Sequence, residues 1–155
     1  MEDSIQISDE SGFTPAPWTQ ALIKEQIQFM LDKLFVDPAT EVSVAFVDEQ
    51  AMASLHEEHM DEPGATDVMS WPMDDLVAGR PGALSGPGIL GDIAVCPQVA
   101  LRQAQEVGHP LMAEIELLIT HGLLHLLGHD HYEPDEHKVM FSLQDQLLDA
   151  WRSKD

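Results

Sequence analysis

Between Trp18 and about Phe35 the apolar residues Trp18, Leu22, Ile23, Ile27, Met30, Leu31 and Leu34 recur every three or four positions. This is the period of an amphipathic helix, and Pro38 forbids its continuation. Ser4 to Ser8 alternates polar and apolar instead, as a half-buried strand does. Glu41 to Val47 (EVSVAFV) is the most strand-like run, with Val42, Val44 and Phe46 on one face. Asp48 is placed to cap a helix reaching about His59. After a turn-rich stretch from Met60 to Ala65, Asp67 to Trp71 forms a short strand before Pro72, and Ile89 to Val95 a fourth. The pattern then turns helical three times: about Pro97–Val107, Leu111–Leu127 and Asp135–Trp151. Between strands three and four, Asp74 to Gly88 has no period and holds Gly79, Pro81, Gly82, Gly86, Pro87 and Gly88. That length without structure predicts a mobile or functional loop.

These elements predict an α+β (mixed α/β) fold. A four-stranded mixed sheet packs with about five helices, and residues 1–155 form a single domain. Helical crossovers favour parallel neighbours, while strands three and four can pair antiparallel. Neither a repeat nor a linker interrupts the chain.

Composition changes this picture in one respect. Twenty-eight acidic residues against seven basic ones give a formal charge of -21. Such a field repels nucleic acid at long range and attracts cations and basic proteins. The seven cations are scattered and form no basic stripe along the chain. Cys96 is the only cysteine, so no internal disulfide is possible, and its place after an apolar strand marks it as a small core residue. The acidic start Met1-Glu2-Asp3-Ser4-Ile5 lacks an export pattern, and no run approaches the roughly 18 apolar residues of a membrane span. A reduced, cytoplasmic, soluble protein without a membrane partner is expected.

The chemistry concentrates in His121-Gly122-Leu123-Leu124-His125-Leu126-Leu127-Gly128-His129-Asp130-His131. Residues four apart share a helix face, so His121 and His125 can offer two imidazoles to one ion. On a continued helix His131 would lie about 240° further round, out of reach. Gly128 can take the left-handed conformation that ends a helix and lets the chain reverse toward the same point. Three neutral imidazoles with an open fourth position describe a catalytic site for one Zn2+ per chain, at which water is activated for hydrolysis. Three histidines also accept nickel, copper or iron. The spacing is that of the metzincin peptidases, but Gly122 stands where those enzymes carry their glutamate base. A zinc peptidase is therefore the weaker reading, and phosphodiester hydrolysis, in which the ion neutralises phosphoryl charge, the stronger. Asp130 is the candidate catalytic residue, as a proton acceptor or as a partner orienting a ligand imidazole, with turn-making as its alternative role. Glu114 lies near the ligand face but two turns back, too far to act as the base. His129 is expected to face solvent, and His56, His59, His109 and His137 to be ordinary surface residues.

With these residues in view, the chain resembles the YbeY endoribonuclease family of rRNA maturation factors. His121 to His131 matches its H-G-x-L-H-L-x-G-[YH]-D-H pattern. Thr66 to Pro72 is similar to its T-[DN]-V-L-S-F-P strand and Leu90-Gly91-Asp92-Ile93 to its L-G-D-I strand; the final helix with Met140 also corresponds. The resemblance implies a cytoplasmic, metal-dependent, single-strand-specific endoribonuclease. It implies action in maturation of the 3′ end of small-subunit rRNA and in ribosome quality control, with His121, His125 and His131 as zinc ligands. Where many members carry an aromatic-Arg pair, this chain has His59-Met60, which removes one phosphate-binding cation. A second reading follows from the acidity: a ribosome-associated assembly factor with little or no cleavage activity, docked on basic ribosomal proteins.

Overall fold

The computed structural model of the chain describes residues 4–60, 64–129 and 133–154. Four strands, β1 (Ile5–Asp9), β2 (Glu41–Phe46), β3 (Val68–Pro72) and β4 (Ile89–Val95), form one sheet in the order β1-β2-β4-β3. The pairs β1–β2 and β2–β4 are parallel, and β3 runs antiparallel to β4 at the edge. Five helices complete the α+β domain: α1 (Gln20–Lys33), α2 (Glu49–Met60), α3 (Pro97–Val107), α4 (Leu111–Leu126) and α5 (Pro134–Arg152). The mixed sheet and the helix count agree with the expectation from the sequence. Among the described residues no helix is long and apolar enough to cross a membrane.

Local chemistry sets the element ends. Thr19 Oγ1 accepts the Leu22 N–H at 3.0 Å and caps α1. Trp18, expected inside that helix, therefore precedes it and stacks on Phe46 with ring centroids 4.6 Å apart. Asp48 caps α2 as expected, accepting the Ala51 N–H at 2.8 Å. Pro72 is the last residue of β3, tolerated because an edge strand needs only half its N–H groups.

The main core lies between one sheet face and helices α1, α4 and α5. Ile23, Ile27 and Met30 of α1, Val42, Val44 and Phe46 of β2, and Ile115, Ile119 and Leu123 of α4 share this cluster. Each such side chain contributes about 1.5–3 kcal/mol on burial. A second, smaller cluster on the other face holds Met52, Ala94, Cys96 and Val99. Burial pushes the Cys96 thiol up from its ordinary value, which suits a packed neutral sulfhydryl.

The segment from Asp74 to Gly88, expected to be a mobile or functional loop, is ordered by bonds to the rest of the fold. Backbone bonds strap it to the turn after α1: Gly79 N–H to Leu34 O, Ser85 N–H to Phe35 O and Asp37 N–H to Ser85 O, at 2.9, 2.9 and 2.7 Å. Asp74 also accepts the Ile89 N–H at 2.6 Å through its side chain. Glycine and proline here serve tight turns rather than freedom.

Glycine at position 91 is a steric requirement. Its φ is +145°, and a Cβ there would stand 2.2 Å from the Trp71 carbonyl oxygen and 2.8 Å from Leu126 Cδ2. The β2–β4 register also shifts beside it, between Glu41 and Val42. Gly91→Ala is expected to lower the unfolding free energy by at least about 2 kcal/mol, measured by urea denaturation.

Candidate functional site

Helix α4 is apolar on almost every side, with Ile115, Leu118, Ile119, Leu123, Leu124 and Leu126 buried. Gly122 lets it approach the sheet. A Cβ at that position would meet the Ile93 side chain at 3.1 Å, so the site of the missing peptidase glutamate is turned toward β4. Of its polar residues, Glu114, His121 and His125 follow steps of seven and four along one face, while Glu116 turns toward α5 and Thr120 is buried. The helix ends as the glycine predicts. Gly128 has φ +92°, its N–H donates to His125 O, and the His129 N–H donates to Leu124 O, both at 3.0 Å. This 5→2 and 6→1 pair is a Schellman motif, and it turns the chain immediately after the second histidine.

The polar face lines a cleft of about 590 Å³ running between α4 and the free edge of β3, floored by Thr66 to Ser70 and flanked by His56 and Phe141. Backbone alternation fixes what β3 offers to it. The bonds from Cys96 N–H to Asp67 O and from Met73 N–H to Leu90 O mark positions 67 and 73 as hydrogen-bonded pairs with β4. Val68 and Ser70, in the alternate pairs, therefore turn their backbone groups outward along the cleft. The Asp67 carboxylate already takes the Val68 N–H at 2.7 Å. No lysine or arginine is among the described residues that line this cleft.

At the centre of the cleft, Nε2 of His125 and Nε2 of His121 face each other at 3.1 Å. Two imidazole lone pairs at this distance repel unless a proton or a cation stands between them. Ligands of one tetrahedral zinc, each about 2.0–2.1 Å from the ion, would be about 3.3 Å apart, so the donor set suits a shared cation. Behind the pair, His121 Nδ1 lies 2.8 Å from Oε1 of Gln144, a residue of α5 that is only 2% exposed. Trp151 and Arg152 pin α5 in place, donating to the two carboxylate oxygens of Glu116 on α4 at 3.0 and 3.1 Å.

The structure thus brings together two of the three expected ligands. His131 and Asp130 lie outside the described residues, and among the described residues no group of three or more His, Cys, Asp or Glu side chains is placed to hold a metal. Two of the histidines assigned to the surface have other places. His56 lines the cleft and donates from Nδ1 to Gly64 O at 2.9 Å, while His109 Nε2 meets the buried Glu114 carboxylate at 2.6 Å. His137 stacks on Phe141 at 4.3 Å, and His59 meets Trp71 edge-on at 5.4 Å. His129 is half-buried rather than open to solvent. Gln144 escaped sequence reading altogether. Its signal was available as the one amide on the buried stripe Met140, Gln144, Leu147, Leu148, Trp151.

Paired imidazoles on a helix, beside the antiparallel edge of a mixed sheet, place the molecule among α+β proteins with a histidine-lined cleft. Comparison with known proteins specifies the class. Residues 5–152 match the family described as Endoribonuclease YbeY, and the chain belongs to that family. It is 54% identical over 149 residues to the Endoribonuclease YbeY of Thermobifida fusca, covering 96% of this chain and 94% of that protein. It is 50% identical to the same-named protein of Mycolicibacterium smegmatis, covering 96% and 83%. The solution structure of a Thermotoga maritima protein superimposes with a TM-score of 0.64 at 26% identity, covering 97% of this chain and 93% of that one.

Gly128→Ala is expected to cost about 1–2 kcal/mol, because a side chain must enter the left-handed conformation. Urea unfolding measures this cost. Gly128→Asn, which tolerates that conformation better, should lose less.

Proposed function

We propose that the chain is a zinc-dependent, single-strand-specific endoribonuclease of the cytoplasm that matures the 3′ end of small-subunit rRNA and acts in ribosome quality control. Membership of the YbeY family, whose matched relatives carry the name endoribonuclease, makes it an RNA hydrolase. The observation that carries the metal reading is the 3.1 Å approach of the two Nε2 atoms inside the cleft. His121, His125 and His131 hold the ion in this proposal, and residues 1–155 act as one metal-dependent unit. When bound, zinc supplies Lewis acidity and the positive charge needed at a phosphoryl oxygen.

The chain's own residues do the rest. A volume of about 590 Å³ falls in the roughly 300–1,000 Å³ range of small-ligand sites and suits nucleotides splayed out of a single strand rather than a duplex. The outward backbone groups of Ser70 can hold a base or phosphate by hydrogen bonding, where an arginine would otherwise do so. Asp130 remains the candidate proton acceptor.

The charge of -21 and a cleft lined without lysine or arginine among the described residues favour a second reading. In it the protein is a ribosome-associated assembly factor with little cleavage activity, and its acidic surface contacts basic ribosomal proteins. Zinc-loaded protein incubated with labelled single-stranded RNA, duplex RNA and an unfolded peptide separates the readings. Cleavage of the single strand alone, lost in His125→Ala, is expected. Intact RNA together with salt-sensitive ribosome binding would establish the assembly factor instead, and His125-dependent peptide cleavage would reinstate the peptidase.

A further inference from the structure

Gln144 occupies a position where packing alone would select a hydrocarbon. It lies on the buried face of α5 between Met140 and Leu147, and a buried amide there is costly unless its hydrogen bonds are made. Its Oε1 points at Nδ1 of His121 from 2.8 Å. An amide oxygen only accepts, so this geometry puts the imidazole proton on Nδ1. The opposite nitrogen, Nε2, then presents a lone pair toward Nε2 of His125. A neutral imidazole must be in this form to bind a cation at that point, and its ring must be held at this angle to do so.

We propose that Gln144 is the positioning residue of the metal centre: its amide oxygen holds His121 in the Nδ1-protonated tautomer and fixes the ring so that Nε2 faces the ion. This rests on the reading of His121 and His125 as metal ligands. Partners of ligand imidazoles in this role typically change metal affinity by about 10–100-fold when removed. Arg152 and Trp151, further along α5, join the same two helices through Glu116 of α4.

The test uses the full chain with Gln144→Leu, Gln144→Glu and His125→Ala, each checked for folding by thermal unfolding of the metal-free protein. Zinc affinity is measured by competition with a chromogenic chelator, and the His121 tautomer in metal-free wild type by 15N NMR. Gln144→Leu is expected to weaken zinc binding about 10–100-fold, whereas Gln144→Glu, still an acceptor at the same place, stays near wild type. Wild-type affinity in folded Gln144→Leu overturns the proposal, and so does an equal loss in Gln144→Glu, which would mark a packing role. Should the leucine variant not fold, the tautomer decides: a proton on Nδ1 supports the assignment, and one on Nε2 refutes it. Unchanged zinc binding in His125→Ala would remove the metal reading itself, a failure separate from that of Gln144.

Discussion

The close packing of α4 on β4 is the constraint from which the site follows. Glycines at 91 and 122 bring helix and strand together, one admitting the Trp71 carbonyl and Leu126, the other the Ile93 side chain. With α4 packed against the sheet and α5, much of its surface is core, and the face carrying Glu114, His121 and His125 lines the cleft instead. That remaining face opens on the edge of β3, so the cleft exists because an apolar helix runs out of neighbours there. The two imidazoles are then placed by helix geometry, and their separation needs no loop to adjust it.

The same packing explains why β3 is short and antiparallel. A parallel edge strand would need a further crossover to cover it, whereas the strapped segment between β3 and β4 returns the chain directly. The result leaves Ser70 with outward backbone groups beside the histidines. A sheet edge is ordinarily a hazard for aggregation. Here it is recessed against α4 and half occupied by the Asp67 carboxylate.

Much of this was legible in the chain. The period of α1, the alternation in β2, the run of β4 and the Gly128 stop each depend on local chemistry, and the structure agrees with them closely. Three features were missed in the chain, because each depends on what the fold brings beside it rather than on a local period. The segment from Asp74 to Gly88 reads as free because its glycines and prolines lack a period, yet its partners are the carbonyls of Leu34 and Phe35. His56 and His109 have no ligand spacing, and only the tertiary fold brings His56 to the cleft. Gln144 is marked in the chain only by its place on the apolar stripe of α5, and the partner that explains it, His121, lies 23 residues away. His121 and His125, by contrast, are one turn apart, and one turn is a distance that sequence can measure.

The Schellman turn at Gly128 has an electrostatic consequence. It places His125 in the last turn of α4, where the aligned peptide dipoles leave about half an elementary negative charge. That end of the helix attracts a cation and repels a phosphate. A cation held between His121 and His125 would lie where that partial charge favours it.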